Sequence, residues 1–149
     1  MSEGFKNMDK LLTKVKKIEK VFDTRMTTLL QSAGQTIRGN AVKLIQVQSP
    51  GAPYKRYKPA RTGFASPPGS PPNTDTGKLV KDIQVRTLNA KTITIGTSAE
   101  GAPHGKLLEY GTSKMEKRPW LDPAWNLSKD IIGEKAKKQG LDLLTQATK

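Results

Sequence analysis

Residues 107–125, LLEYGTSKMEKRPWLDPAW, combine a glycine, a charged stretch, an Arg-Pro-Trp triplet and a second tryptophan. Gly111 allows the positive backbone dihedral that many tight turns require. Thr112 and Ser113 carry hydroxyls that can satisfy neighbouring backbone groups, and Pro119 fixes the return of the chain. The stretch therefore predicts a rigid loop that closes on itself.

The two ends of this loop are predicted to be fixed by the core and by a charge pair. Trp120 brings back a large apolar side chain, and we expect its ring to be buried. Pro123 suits the first turn of a following helix, because the N–H that it lacks has no partner there. Glu109 and Arg118 flank the loop, and we expect them to pair across its base. The polar tip, residues 114–117, either contacts a neighbouring subunit or belongs to a stabilised hairpin without a contact role.

Far upstream of the loop, the sequence predicts a long amphipathic helix within residues 1–48. Apolar residues recur at alternating steps of three and four from Leu11 to Val47, which keeps one helical face apolar. Such a helix is about 55 Å long, whereas a compact domain of this size has a radius of gyration of about 15 Å. Either the helix breaks near Gly34 or Gly39, where each glycine costs about 1 kcal/mol, or one end projects and packs on another subunit.

The next segment, residues 49–76, contains seven prolines and is predicted to form an arm without regular structure. Loops longer than about 15 residues are usually functional or disordered. The arm interleaves aromatic and basic side chains, namely Tyr54, Lys55, Arg56, Tyr57, Lys58 and Arg61. This composition suits either phosphate contacts with base stacking or a basic arm laid across a neighbouring subunit.

Residues 77–122 are predicted to contain antiparallel strands followed by the rigid loop. Apolar residues alternate from Leu79 to Leu88, and TITIGT at residues 92–97 alternates again after a short Asn-Ala-Lys turn, which predicts a hairpin. A short helix is expected between Gly101 and Tyr110, and a final helix over residues 123–149. The fold class is therefore α+β.

The composition favours one small, basic domain that assembles with others. The 149 residues fit a single domain, 1–149. A net charge of +13 favours polyanions and acidic partner proteins. Because only 34% of the residues are hydrophobic, the core is expected to be modest and an oligomeric interface to supply further burial. Without cysteine, disulfides and thiolate metal sites are excluded, and no stretch approaches the about 20 apolar residues of a membrane span.

The sequence contains no recognisable enzymatic motif. The single histidine, His104, has no nearby carboxylate pattern to orient it as a base or a metal ligand, and we expect an ordinary loop residue. The acidic residues are scattered singly, and there is no P-loop, no G-x-G-x-x-G after a strand and no G-x-S-x-G elbow. We therefore expect no catalysis, no cofactor and no metal ion.

Three blocks of sequence, taken in order, resemble the tail-completion or neck protein family of long-tailed bacteriophages. They are SPPGSPPNTDTGKLVKDIQV, TITIGT and the loop sequence itself, and the resemblance covers residues 67–125. The residues that carry it are Thr76, Gly77, Leu79, Gly96, Glu109, Tyr110, Gly111, Thr112, Arg118, Pro119, Trp120, Leu121, Pro123 and Ala124. Members of the family often place Tyr-Ala before the third block, where this chain has Pro103, His104 and Gly105.

The resemblance implies a non-enzymatic structural protein of the virion, at the head–tail junction or upper tail, that assembles in the host cytoplasm. It further implies a ring of subunits, a hexamer, around the DNA passage. The implied partners are the chain itself, neighbouring head-completion, tail-terminator or tail-tube proteins, and packaged DNA in the lumen. In this interpretation the matched residues have structural and assembly roles. The alternative is a basic nucleic-acid-binding module that uses residues 54–61 as its binding arm.

Overall fold

The computed structural model of the chain describes residues 3–57 and 60–147. Its elements in chain order are α1 (Glu3–Gln46), β1 (Ala52–Tyr57), β2 (Ala60–Ala65), α2 (Lys78–Asp82), β3 (Gln84–Asn89), β4 (Thr92–Gly96), α3 (His104–Tyr110) and α4 (Leu121–Ala147). The strands form two separate antiparallel pairs, β1 with β2 and β3 with β4. The predicted α+β class is confirmed.

The predicted long helix is present as α1, which continues through 44 residues without a break. At 1.5 Å per residue its length is about 66 Å. Gly34 is buried, and a Cβ atom on it would lie 2.5 Å from Cγ1 of Val85. A glycine at this position therefore allows the helix to lie close against β3. The helix breaks at neither glycine, and its N-terminal end projects, because residues 7–22 of α1 are exposed. The packing of this end on another subunit stays a prediction.

The core lies between the C-terminal half of α1, the short helices and the start of α4. Its buried residues are Ile37, Ala41, Ile45, Leu79, Ile83, Ala102, Trp120 and Ala124. A polar contact joins the two long helices beside these residues: Asn40 Nδ2 donates to Ser128 Oγ at 2.8 Å, and that hydroxyl donates to the carbonyl of Ala124 at 2.6 Å. The buried hydroxyl therefore has both a donor and an acceptor partner, as buried polar groups require.

The strand predicted from Leu79 begins only at Gln84, because the residues before it form α2. Leu79 and Ile83 are both buried, and their spacing of four residues fits one turn of a helix as well as an alternating strand. Gly77 precedes α2 with φ of 72°, and the N–H of Lys81 donates to its carbonyl at 3.0 Å. The rest of the hairpin prediction is confirmed, since β3 pairs with β4.

The prediction that residues 49–76 lack regular structure is wrong for the part that forms β1 and β2. The register places Pro53 opposite Phe64. A two-stranded sheet leaves one edge of each strand open, so a proline can face that edge without removing a bond of the ladder. The later prolines behave as predicted, because they fall in residues 66–77, outside the helices and strands.

Both C-terminal helix predictions are confirmed. The short helix expected between Gly101 and Tyr110 is α3, and the final helix is α4. This last helix starts at Leu121, two residues before the predicted boundary. Pro123 is its third residue and therefore lies in the first turn, where a proline removes no intrahelical hydrogen bond.

Candidate assembly site

The Pro-rich loop after β2 and the loop between α3 and α4 are joined by hydrogen bonds. The N–H of Gly69 donates to the carbonyl of Lys117 at 2.9 Å. Nε of Arg118 donates to the carbonyl of Ser66 at 2.8 Å. Two of the three sequence blocks, which lie far apart along the chain, therefore form one surface. We refer to residues 66–72 and 107–125 together as the assembly site.

The loop after α3 closes on itself, as the sequence predicts. Gly111 has φ of 77°, and its N–H donates to the carbonyl of Leu107 at 2.8 Å, which ends the helix. Thr112 and Met115 then form a small antiparallel bridge with N···O distances of 2.8 and 3.3 Å. The Thr112 hydroxyl also accepts the N–H of Lys114 at 3.2 Å. These bonds hold the polar tip in one conformation.

Glu109 has a different partner from the one that the sequence predicts. Its carboxylate accepts the backbone N–H groups of Trp120 at 2.7 Å, Leu121 at 2.9 Å and Asp122 at 3.0 Å. These are N–H groups at the start of α4, which have no partner within the helix, and a negative charge is favourable there. The expected Glu109–Arg118 pair is wrong: among the described residues no ion pair joins them, and the Arg118 guanidinium bonds to Ser66 instead.

Trp120 is buried, as predicted, and anchors the loop to α3. Only 2% of the residue is exposed, and its indole Nε1 donates to the carbonyl of Gly105 at 3.0 Å. The N–H of Arg118 donates to the carbonyl of Leu108 at 2.7 Å just before it. The segment around His104, which departs from the family pattern, thus supplies the acceptor for the tryptophan.

The other motif residues have structural positions or lie at the surface. Leu79 is in the core, and the Thr76 hydroxyl accepts the N–H of Lys78 at 3.4 Å at the start of α2. Pro119, Leu121 and Pro123 are half-buried. Tyr110 is different, because 75% of it is exposed. Leu107 is also exposed three residues before it, on the same face of α3.

Five of the six aromatic and basic residues of the predicted arm fall in β1 and β2. Tyr54 is half-buried, and its ring covers Gly63, where a Cβ atom would lie 2.7 Å from the ring carbon Cζ. Lys55 and Phe64 are exposed. Three further residues, Arg56, Tyr57 and Arg61, have their backbone in the two strands, but their side chains lie outside the described part of the chain. Lys58 lies outside the described residues altogether.

Two polar residues that sequence reasoning missed join segments of the chain beside the assembly site. Asn73 bonds to both backbone groups of Ser49, at 2.7 and 2.8 Å, and to the carbonyl of Phe64 at 2.9 Å. Asp82 accepts the N–H of Ser98 at 2.6 Å and its hydroxyl at 2.9 Å. An asparagine among prolines is typical of a turn, but its partner 24 residues upstream has no sequence signal.

A cavity of about 660 Å³ lies between the hairpin and the assembly site. Its lining includes Tyr54, Phe64, Ser66, Leu79, His104 and Arg118. The hydroxyl of Ser66 is buried and has no hydrogen-bond partner among the described residues.

Within residues 3–57 and 60–147 no group of His, Cys, Asp and Glu side chains is arranged to hold a metal ion. No helix in that part of the chain is long and apolar enough to cross a membrane.

The fold and the site define an α+β protein whose motif residues set loop geometry, helix starts and core packing. The sequence model of one family, described as "Bacteriophage HK97-gp10, putative tail-component", matches residues 9–111. This match covers more than half of the chain, and the chain belongs to that family. No curated protein and no solved structure gives a significant match.

Family membership makes the chain a structural component of a bacteriophage tail and places it in the virion. It confirms the resemblance that the three sequence blocks indicate. The matched region also contains most of α1 and the β1–β2 hairpin, which those blocks did not include, and it ends at Gly111. The Arg-Pro-Trp triplet therefore lies beyond the matched residues, although it is bonded to Ser66 within them through Arg118.

Proposed function

We propose that this tail component forms a ring at the head–tail junction or the upper end of the tail, around the passage that DNA takes. In this role it completes the tail or joins it to the head, and it has no enzymatic activity. The resemblance supports a hexamer. The proposed partners are neighbouring copies of the chain and the adjoining head-completion, tail-terminator or tail-tube ring.

The observation that carries this proposal is the large surface that the chain exposes. Its accessible area is 10976 Å², whereas a compact monomer of this mass exposes about 7,500 Å². Many large apolar side chains are exposed on this surface, among them Leu107, Tyr110 and Trp125 within the assembly site. A protein with this much uncovered apolar surface is expected to bury part of it against other subunits.

The assembly site supplies a rigid surface for such contacts. The loop tip is closed by the Thr112–Met115 bridge, and Gly69 and Arg118 tie its base to the Pro-rich loop. A rigid loop loses little conformational entropy when it binds, which favours affinity. Exposed Tyr110 lies immediately before the loop, and tyrosine is one of the residues that contribute most to protein interfaces.

The excess of positive charge fits a ring around DNA. A surface with a net charge of +13 per subunit attracts polyanions and acidic proteins. In a ring these charges face either the DNA in the passage or carboxylates of the adjoining ring. Contact with DNA and contact with the adjoining ring are both compatible with the same architecture. The strengths of the two contacts differ in how they depend on salt concentration.

Complementation of a phage that lacks the gene tests this proposal. Without the chain, negative-stain electron microscopy is expected to show filled heads and separate or malformed tails, and the wild-type chain supplied in trans restores joined particles. A Tyr110→Ala variant is expected to reduce joined particles, whereas Leu88→Ala, which removes an exposed side chain at the far end of β3, serves as the matched control. Normal infectious particles without the gene would contradict the proposal.

A solution experiment separates this proposal from the nucleic-acid-binding alternative. Light scattering at low and high salt is expected to show oligomers that form from the chain alone or with an adjoining ring protein. DNA binding is expected to be weak in a mobility-shift assay. A monomer whose tight DNA binding falls steeply with salt would support the binding module instead.

A further inference from the structure

About four turns near the start of α1 expose an apolar stripe that nothing else in the described part of the chain covers. We call residues 8–22 the projecting segment. Its apolar side chains are Met8, Leu11, Leu12, Val15, Ile18, Val21 and Phe22, each between 43% and 59% exposed. Five residues after this segment, the hydroxyl of Thr27 donates to the carbonyl of Ala90 in the β3–β4 turn at 3.2 Å. Seven large apolar side chains on one stretch of helix indicate a surface that another molecule covers.

The stripe has the spacing of a helix that packs against another helix. Met8, Leu11, Val15, Ile18 and Phe22 follow one another at alternating steps of three and four. This is the a and d pattern of a heptad repeat, and every a and d position in the segment is apolar. Further along α1 the buried residues Ile37, Ala41 and Ile45 follow one another at steps of four, so these core residues do not continue the alternating pattern of the exposed part of the helix.

The charges beside the stripe favour a parallel second copy as its partner. With Met8 at a, Lys14 occupies a g position and Glu19 the e position that follows it. In parallel, in-register helices, g of one chain lies beside the next e of its neighbour, so Lys14 faces Glu19 of the neighbouring copy. The two residues are five apart, a spacing at which side chains on the same helix do not meet. Their charges are complementary only between chains.

The width of the stripe suits contact with more than one neighbouring helix. Leu12 and Val21 occupy e and g positions, so the apolar face extends beyond the a and d seam on both sides. A face that includes e or g positions is wider than the seam of a two-stranded coiled coil. In a ring, each subunit has one neighbour on either side, and such a helix can contact both.

We infer that the projecting segments of neighbouring copies of this chain pack together as parallel helices, in a register that pairs Lys14 with Glu19. This inference rests on the proposed ring and names one of the contacts that would close it. The contact is separate from the assembly site, because the segment lies on the part of α1 that extends beyond the β3–β4 turn.

Cross-linking of the full chain tests the direction of the pairing, and the absence of native cysteine makes single-site labelling straightforward. Met8→Cys is expected to cross-link to itself under mild oxidation or with a short bifunctional reagent. A mixture of Met8→Cys and Phe22→Cys chains is expected to give no more heterodimer than chance collision. Preferential cross-linking between those two positions would indicate antiparallel packing and overturn the inference.

A charge exchange tests the register. Lys14→Glu and Glu19→Lys each place like charges opposite one another. Each is expected to raise the protein concentration at which half of the oligomer is dissociated by about fivefold, which is the effect of an exposed ion pair. The double variant is expected to return to the wild-type midpoint. If the double variant is as weak as the single variants, Lys14 and Glu19 do not pair between chains and the inference is wrong.

A third variant separates this contact from the ring as a whole. Ile18→Glu is expected to weaken self-association measured by light scattering, while Lys17→Glu on the polar face leaves it unchanged and thermal unfolding of the dilute subunit stays the same for both. If Ile18→Glu leaves self-association and joined particles unaffected, this inference fails and the proposed ring survives. If the wild-type chain stays monomeric and the phage assembles without it, both fail.

Discussion

The carboxylate oxygen Oε2 of Glu109 lies 2.7 Å from the backbone nitrogen of Trp120. The same side chain also accepts the N–H groups of Leu121 and Asp122. One residue at the end of α3 therefore provides the cap at the start of α4, and the loop between the two helices is held closed at its base. The Glu109 carboxylate thereby joins the end of α3 to the Arg-Pro-Trp triplet through a hydrogen bond from the backbone N–H of Trp120.

Removing this carboxylate is expected to destabilise the fold. Glu109→Ala leaves three N–H groups without their acceptor, and we expect the free energy of unfolding to fall by about 2 to 3 kcal/mol. Glu109→Gln keeps an acceptor but loses the charge, so a smaller loss of about 1 kcal/mol is expected. Urea unfolding followed by circular dichroism measures both values. Glu116→Ala, at an exposed position of the same loop, is the control, and an equal effect of Glu116→Ala would contradict the capping role.

The two tryptophans are expected to respond differently to truncation. Trp120→Ala creates a cavity in the core and removes the bond to Gly105, and we expect a loss of about 3 to 5 kcal/mol in unfolding free energy. Trp125→Ala, at a residue that is 48% exposed, is expected to change the stability of the subunit by less than about 1 kcal/mol. Thermal unfolding of the two variants side by side gives the comparison. Equal stability losses would mean that Trp120 is not a core residue.

Gly34 and Gly39 offer a matched pair within one helix. An added Cβ at Gly34 would lie 2.5 Å from Val85 Cγ1 and 2.9 Å from Ile93 Cδ1, whereas at Gly39 no atom lies within 4 Å. Gly34→Ala is therefore expected to destabilise by about 1 to 2 kcal/mol through overpacking. Gly39→Ala is expected to stabilise by up to about 1 kcal/mol through helix propensity. If calorimetry shows stabilisation by both, α1 does not lie against β3 as described.

The basic residues of the β1–β2 hairpin are expected to contact a protein neighbour. Replacing Lys55, Arg56, Lys58 and Arg61 with Gln should reduce the number of joined particles, because exposed Phe64 on the same hairpin provides the kind of apolar anchor that interfaces use. Removing four charges from the exposed surface of α4, at Lys129, Lys135, Lys137 and Lys138, is the matched control. Normal particles with a salt-dependent loss of DNA would show instead that the hairpin faces the DNA passage.

Several features of the site were predictable from the sequence because they depend on local chemistry. The positive φ of Gly111 follows from a glycine in a tight turn. The burial of Trp120 follows from a large apolar ring next to a helix start. The long helix follows from its apolar periodicity, which 44 residues make unambiguous.

The features that sequence reasoning missed depend on long-range partners or on ambiguous spacing. Residues 79–83 fit a helix turn and a strand equally well, and their spacing does not show that Leu79 and Ile83 join one core with residues of α1. The β1–β2 hairpin is not predicted because seven prolines in residues 49–76 indicate a segment without regular structure, although an open strand edge accommodates Pro53. The partner of Glu109 is not predicted because its carboxylate accepts backbone N–H groups at the start of the next helix, 11 to 13 residues later. Every residue except proline has a backbone N–H group, so no side-chain pattern marks the contact.

A cryo-electron microscopy reconstruction of the intact particle of the phage that encodes this chain tests the central claim most directly. We predict density for several copies of the chain in a closed ring at the upper end of the tail, surrounding the DNA passage. The chain would be in contact with the ring above or below it through the assembly site. A mature particle in which the chain is absent, or is found as isolated copies away from the upper tail, would contradict the account.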